Sequence, residues 1–201
     1  MLEMEGFILI GGASSRMGTD KASLDLGGQT FVERISAALS RVASVTSVVG
    51  ARSSHESEAW RLPVVPDLYP EWGALGGLHA ALAACRAPWA AVVACDLPFV
   101  TGELFVRLAS LREDFDAVVP VQADGRPQPL CALYRARPCV GRAEELIVSG
   151  ERRVGALFQA VRARRVAAAE LADIEGAHLF FTNVNTPQDY AGARRALVND
   201  E

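Results

Sequence analysis

The chain has 201 residues, half of them hydrophobic and 22% charged, which excludes a disordered segment and suffices for one well-buried α/β domain. Its formal net charge of −4 gives no general pull toward nucleic acid or anionic membranes, so any phosphate must be held locally. Its apolar stretches stop short of a membrane span, and its four scattered cysteines, with no Cys-x-x-Cys pair, speak against a zinc centre.

No charged n-region with a cleavage site is visible at the start, and a cytoplasmic location is expected. Phe7–Ile10 reads as a short buried strand that breaks at Gly11-Gly12 into a loop of small residues carrying Arg16, Gly18 and Lys21. Glycines let the backbone turn sharply and approach a ligand closely, so that its N–H groups can point at an anion. Arg16 and Lys21 supply positive charge where phosphate oxygens would sit. Of the 20 basic residues Lys21 is the single lysine, and its compact ammonium suits a crowded phosphate better than the planar fork of arginine. No Gly-Lys-Ser/Thr follows and no Gly-x-Gly-x-x-Gly is present, so the loop is neither a Walker A loop nor the usual dinucleotide fingerprint. An ordinary strand-to-loop turn with two solvated cations is the alternative.

Next, Leu24–Gly28 gives a brief extended piece and a turn. Thr30 is placed to cap a helix running to about Val42, with Glu33 in capping-box position. Phe31, Ile35, Ala38, Leu39 and Val42 recur at helical spacing and are expected to face the sheet. Val45–Val49 reads as a second strand, His55–Arg61 as a short polar helix or loop, and Leu62–Asp67 as a third strand ending in a carboxylate. Leu68–Gly77 has the composition of a binding loop, with a plain strand-to-helix connection as the alternative. The Gly76-Gly77 pair is expected to open an Ala-rich helix through about Ala84, whose N-terminal amides can face an anion.

Trp89–Cys95 is a continuous apolar run, as for a central parallel strand buried on both faces. It ends in Cys95-Asp96-Leu97-Pro98. A carboxylate at the carboxyl end of such a strand lies where open α/β sheets bind ligands, and it suits Mg²⁺ on a phosphate. A local turn-capping role is the alternative for Asp96. Residues 103–111 predict a helix, Asp116–Val121 a fifth strand, and Leu130–Tyr134 a strand able to return antiparallel. Arg137–Ser149 predicts a helix stopped by Gly150, Val154–Val161 an amphipathic run, and Val166–Leu171 a strand. A final strand from Leu179 leads to a closing helix that Pro187 can start. Strands alternate with helices without repeat or linker, so residues 1–201 are expected to form one three-layer α/β/α domain, mostly parallel with an antiparallel portion.

The stretch Leu9-Ile10-Gly11-Gly12-Ala13-Ser14-Ser15-Arg16-Met17-Gly18-Thr19-Asp20-Lys21 resembles the N-terminal signature of Rossmann-like nucleotidyltransferases of the nucleotide-diphospho-sugar transferase type. Further motifs follow in one order: Val65-Pro66-Asp67 with Gly73-x-x-Gly76-Gly77, Cys95-Asp96-Leu97-Pro98, and Pro127-Gln128-Pro129 before Ala132-Leu133-Tyr134. Gly150-Glu151-Arg152-Arg153-Val154 and Asn183-Val184-Asn185-Thr186-Pro187 complete the series. Together they look like the molybdenum cofactor guanylyltransferase family, over nearly the whole chain.

That resemblance implies attack of the terminal phosphate of molybdenum-bound molybdopterin on the α-phosphorus of GTP, with Mg²⁺ as cofactor and pyrophosphate as leaving group. It implies that Leu9, Ile10, Gly11, Gly12, Gly18 and Asp67 line the GTP. Arg16 and Lys21 would neutralise the triphosphate and, with the metal ligand Asp96, form the catalytic set. Gly76, Gly77, Asn183 and Asn185 would face the pterin-bearing substrate. Arg152 and Arg153 are candidate anchors for its phosphate, with a solvated helix start as the alternative. For the two asparagines, local capping before Pro187 is the alternative. GTP and molybdenum-molybdopterin are the implied small-molecule partners. Molybdoenzyme apoproteins and cofactor-biosynthesis proteins are candidate protein partners, and neither nucleic acid nor membrane is expected. The family often has Asn near the end of the second strand, where this chain reads Val49-Gly50-Ala51-Arg52. A sister enzyme using CTP or ATP, and a non-catalytic nucleotide or cofactor carrier, are the competing readings.

Overall fold

The computed structural model describes residues 3–10, 21–50 and 60–199. The apolar runs form one sheet: β1 (Met4–Leu9), β2 (Thr46–Val49), β3 (Val64–Val65), β4 (Trp89–Ala94), β5 (Ala117–Val121), β6 (Cys131–Arg135) and β7 (Ala163–Ala167). Their spatial order is β3-β2-β1-β4-β6-β5-β7. β1 pairs in parallel with β2 and β4, β2 with β3, and β5 with β7, whereas β6 runs antiparallel to both its neighbours. The expected antiparallel return is therefore present.

Because side chains alternate along a strand, β1 serves both faces of the sheet. Ile8 joins one apolar layer with Val93 and Leu133, closed by helices α1 (Phe31–Leu39) and α3 (Gly102–Ser110). Phe7 and Leu9 join the other with Val92 and Tyr134, closed by α2 (Gly73–Ala84), α4 (Ala136–Val148) and α5 (Gly155–Ala160). A third cluster ties α6 (Pro187–Asn199) to the rest through Leu26, Phe31, Phe99, Val184 and Ala193.

Helix α1 begins as its capping signal predicts. The Thr30 hydroxyl accepts from the Glu33 N–H at 3.2 Å, and the Glu33 carboxylate accepts from the Thr30 N–H at 2.7 Å. It ends at Leu39, and Val42 reaches the core through a turn in which its N–H bonds to the Leu39 carbonyl.

Three expectations are corrected. The seventh strand is Ala163–Ala167, and Ala168–Glu170 is a 3-10 turn, so the segment from Val166 is mostly past the strand. No strand forms at Leu179: its N–H bonds to the Gly176 carbonyl, and the Thr182 N–H bonds to the Leu179 carbonyl, closing successive turns around buried Phe180. α2 opens at Gly73, because the 3-10 turn Pro70–Trp72 leads straight into it, which places Gly76 and Gly77 inside the helix.

From β1 the chain moves by α1 toward β2, and from β3 it crosses by α2, on the other face, to β4. The carboxyl ends of β1 and β4 thus lie at the point where the strand order reverses, the usual ligand crevice of an open α/β sheet. The Cys95 N–H donates to the Leu9 carbonyl there, at 3.0 Å.

Candidate functional site

Asp96 follows β4 in a turn closed by the Leu97 N–H on the Ala94 carbonyl. Burial pushes its carboxyl above the ordinary value, against the opposing pull of the Lys21 ammonium and a hydrogen bond from the Asn185 side chain. A carboxylate withdrawn from water gains from any cation brought to it, so Asp96 fits a hard divalent ion. Among the described residues no cluster of three His, Cys, Asp or Glu stands ready for a metal. Mg²⁺ on a nucleotide takes most of its ligands from phosphates and water, so one carboxylate is an adequate protein share.

Lys21 begins a 3-10 turn, Lys21–Ser23, and its Nζ donates to Asn185 Oδ1 at 2.7 Å. The structure therefore gathers Lys21, Asp96 and Asn185 from three distant parts of the sequence. Gly11, Gly12, Arg16 and Gly18 lie outside the described residues, as do Ala51, Arg52 and most of the His55–Arg61 stretch.

The start of α6 decides between two roles for the asparagines. Thr186 Oγ1 accepts from the Asp189 N–H at 3.1 Å, while Asp189 Oδ2 accepts from the N–H groups of Asn185 and Thr186 at 2.9 and 2.8 Å. These bonds hold the Asp189 carboxyl below its usual value. The cap is thus made by Thr186 and Asp189, a Thr-x-x-Asp pattern that was available in the sequence. The Asn185 side chain turns to Lys21 instead, and the Asn183 side chain is exposed.

Asp67 Oδ1 accepts from the Tyr69 N–H at 2.8 Å and starts the turn that leads into α2. A Cβ on Gly76 would overlap the Tyr69 carbonyl oxygen and stand 3.2 Å from Asp67 Oδ1, so this position admits only glycine as the backbone stands. At Gly77 a Cβ would meet Leu9 Cδ1 at 3.7 Å, an ordinary contact. Leu9 and Ile10 bury their side chains in opposite apolar layers, while the Leu9 carbonyl accepts from the Cys95 N–H and the Ile10 N–H donates to the Val49 carbonyl.

Gly50, where the second strand ends, has no room for a side chain. Its φ is +87°, and a Cβ would sit 2.5 Å from the Ile10 carbonyl oxygen. Any side chain there would force apart the ends of β1 and β2.

Two residues, Trp72 and His79, escape a reading by motif. Arg152 donates to the Glu71 carbonyl at 2.6 Å, and its guanidinium lies 4.7 Å from the centre of the Trp72 ring. Trp72 thereby joins the segment after α4 to the segment before α2. Arg153 instead pairs with Glu151 at 2.7 Å, in an exposed contact. His79 is buried in α2, edge-on to Tyr69 with ring centroids 5.0 Å apart, and among the described residues its Nδ1 has no hydrogen-bond partner.

A sequence profile of the MobA-like NTP transferase domain matches residues 6–168. A Pelotomaculum thermopropionicum protein named "Probable molybdenum cofactor guanylyltransferase" is 34% identical over 199 residues, 99% of this chain and 96% of that one. A Bacillus cereus protein of the same name is 32% identical over the full length of both. Among solved structures, molybdopterin-guanine dinucleotide biosynthesis protein A from Archaeoglobus fulgidus superposes with a TM-score of 0.79 at 25% identity, covering 97% of this chain and 99% of that one. The 2-C-methyl-D-erythritol 4-phosphate cytidylyltransferase of Thermus thermophilus shares the fold, with a TM-score of 0.66 at 19% identity over 96% and 98%.

Proposed function

The chain belongs to the MobA-like NTP transferase family, and on that premise we infer that it transfers GMP from GTP to the terminal phosphate of molybdenum-bound molybdopterin. Pyrophosphate leaves, and the product is a guanine dinucleotide cofactor. The observation that carries this reading is the assembly of Lys21, Asp96 and Asn185 at the carboxyl ends of β1 and β4.

The acceptor phosphate is itself the nucleophile, so the protein's task is positioning and charge stabilisation. Lys21, with Arg16, draws the triphosphate into the crevice and offsets the charge that develops on the leaving pyrophosphate. Leu9, Ile10, Gly11, Gly12 and Gly18 line the nucleotide in this reading, and Asp67 contacts it. Asp96 would hold Mg²⁺, which when bound supplies Lewis-acid polarisation of the phosphates. Gly76 keeps the Asp67–Tyr69 turn tight against α2, and Gly77 lies beside it. Asn183, exposed beside this assembly, and Arg152 on its Trp72 platform are the groups assigned to the pterin-bearing substrate.

Residues 1–201 act as one nucleotidyltransferase domain in this reading. A cytoplasmic location accords with a nucleotide substrate and four free thiols. No helix among the described residues is long and apolar enough to cross a membrane. The product's charge and reactivity call for hand-over to molybdoenzyme apoproteins or cofactor-biosynthesis proteins.

The test is pyrophosphate release by the purified protein with Mg²⁺ and molybdenum-loaded molybdopterin, comparing GTP, CTP and ATP. Release with GTP alone supports the assignment. Release with CTP or ATP keeps the chemistry but reassigns the base, and binding without release makes the protein a carrier.

A further inference from the structure

We propose that Asn185 is a positioning residue of the nucleotide site, a neutral spacer that keeps the Lys21 ammonium from pairing with the Asp96 carboxylate. This rests on the nucleotidyltransferase reading and moves Asn185 from the acceptor side of the site to the nucleotide side.

The Asn185 amide meets the cation and lies beside the anion. Its Oδ1 accepts from Lys21 Nζ at 2.7 Å, and the residue before it is bonded through its N–H to the Asp96 carbonyl at 2.9 Å, which brings the amide near enough to the Asp96 carboxyl to oppose the upward push of burial. An amide is the side-chain group that can satisfy a cation at one end and an anion at the other while carrying no charge of its own.

The backbone beneath it is fixed from two directions. The Asn185 N–H is held by Asp189 Oδ2 at 2.9 Å, and the neighbouring Val184 N–H by the Asp96 carbonyl at 2.9 Å. Val184 is fully buried among Leu26, Phe31, Phe99 and Ala193, so the segment has little room to shift. The segment that carries the spacer is thus bolted to the turn that carries the carboxylate.

The consequence is chemical. Left facing each other, an ammonium and a half-buried carboxylate form an ion pair, and each then loses its use toward a phosphate or a phosphate-bound cation. Held on the amide, Lys21 exchanges a neutral acceptor for an ionised phosphate oxygen when the triphosphate enters. The phosphate adds the attraction of opposite charges that the neutral amide lacks, so that exchange is favourable, whereas leaving an ion pair would gain far less.

The experiment measures GTP binding with Mg²⁺ by titration calorimetry, with no molybdopterin acceptor present, for the unaltered protein, Asn185→Ala and Asn185→Asp. Both variants are expected to bind GTP more weakly, Asn185→Asp by about tenfold or more because its carboxylate captures Lys21. As a second readout, Lys21 is the single lysine, so reductive ¹³C-methylation puts one lysine NMR signal in the protein. That signal is expected to move in nucleotide-free Asn185→Ala relative to the unaltered protein. An unmoved signal with GTP affinity unchanged in both variants would overturn the proposal and return Asn185 to the acceptor. An unaltered protein that binds no GTP would overturn the nucleotidyltransferase reading itself, a distinct result.

Discussion

The Val184 N–H donates to the Asp96 carbonyl at 2.9 Å, so the turn after β4 is clamped through its backbone by a segment from near the end of the chain. The carboxylate of Asp96 takes no part in that clamp. Asp96→Ala should therefore fold normally while losing the group assigned to the metal. Expected are weakened GTP binding and a loss of Mg²⁺-dependent turnover of about 100-fold or more, the scale on which single electrostatic groups act in active sites. Pyrophosphate release measured against Mg²⁺ concentration checks this, and unchanged turnover would remove Asp96 from the metal role.

Gly76 and Gly77 should respond in opposite ways to the same methyl group. Gly76→Ala drives a Cβ into the Tyr69 carbonyl and is expected to lose about 1–3 kcal/mol of stability, the usual scale of overpacking, with a raised KM for GTP as Asp67 shifts. Gly77→Ala meets Leu9 at 3.7 Å and is expected to be neutral or to gain up to about 1 kcal/mol from helix propensity. Denaturant midpoints of the two variants make the comparison.

His79 carries the pH prediction. Burial holds its imidazole below the ordinary value of 6.5, and the negative charges of Glu144 and Asp67 only partly oppose this. Below 6.5 the unfolded chain binds a proton that the folded chain resists, so the unfolded state binds more protons and stability rises with pH. The contribution is absent above 6.5, and stability is lost as pH falls from 6.5 toward the lowered folded value. His79→Phe, which leaves no unpartnered ring nitrogen, is expected to flatten that limb. Unfolding midpoints of both proteins between about pH 7.5 and 5.5 give the answer, and identical slopes would exclude His79 as the source.

Arg152→Ala removes both the bond to the Glu71 carbonyl and the stack on Trp72. The expected result is a raised KM for the pterin-bearing substrate, with KM for GTP unchanged. Arg152→Lys should not restore it, because an ammonium cannot reproduce the planar stack with a directed bond at its edge. Steady-state kinetics with each substrate varied separately distinguishes the two halves of the site.

Much of this architecture is legible in the residues. Continuous apolar runs ending in Gly11 and Asp96 place β1 and β4 as central strands, and the site follows from where such strands end. Thr30 and Glu33 announce α1 because capping is a local matter of a few bonds. The misses have equally local causes. At β7, Arg164 and Arg165 occupy an edge strand with a partly exposed face, so the apolar signal shifts toward Val166. The run Leu179–Phe181 looks like a strand, but an apolar triplet reads alike in a strand and in a packed turn, and Phe180 and Phe181 settle in the latter with rings 6.3 Å apart. The bond between Lys21 and Asn185 spans 164 positions and leaves no trace in either neighbourhood. Nor does the carbonyl that makes Gly76 obligatory, since it belongs to a turn seven residues earlier.

The reversed strand β6 has an electrostatic consequence. Because β6 runs against its neighbours, α4 returns toward the carboxyl ends of the parallel strands and brings its C-terminal end there, beside the segment that leads into α2. A helix C-terminus carries about half a negative charge, which repels phosphate. The chain answers within five residues of that end, where Gly150 turns the backbone at φ +89° and Arg152 and Arg153 follow at once. Positive charge is thus supplied by side chains against the polarity of the helix that delivers them, Arg152 lying over Trp72 and Arg153 paired with Glu151.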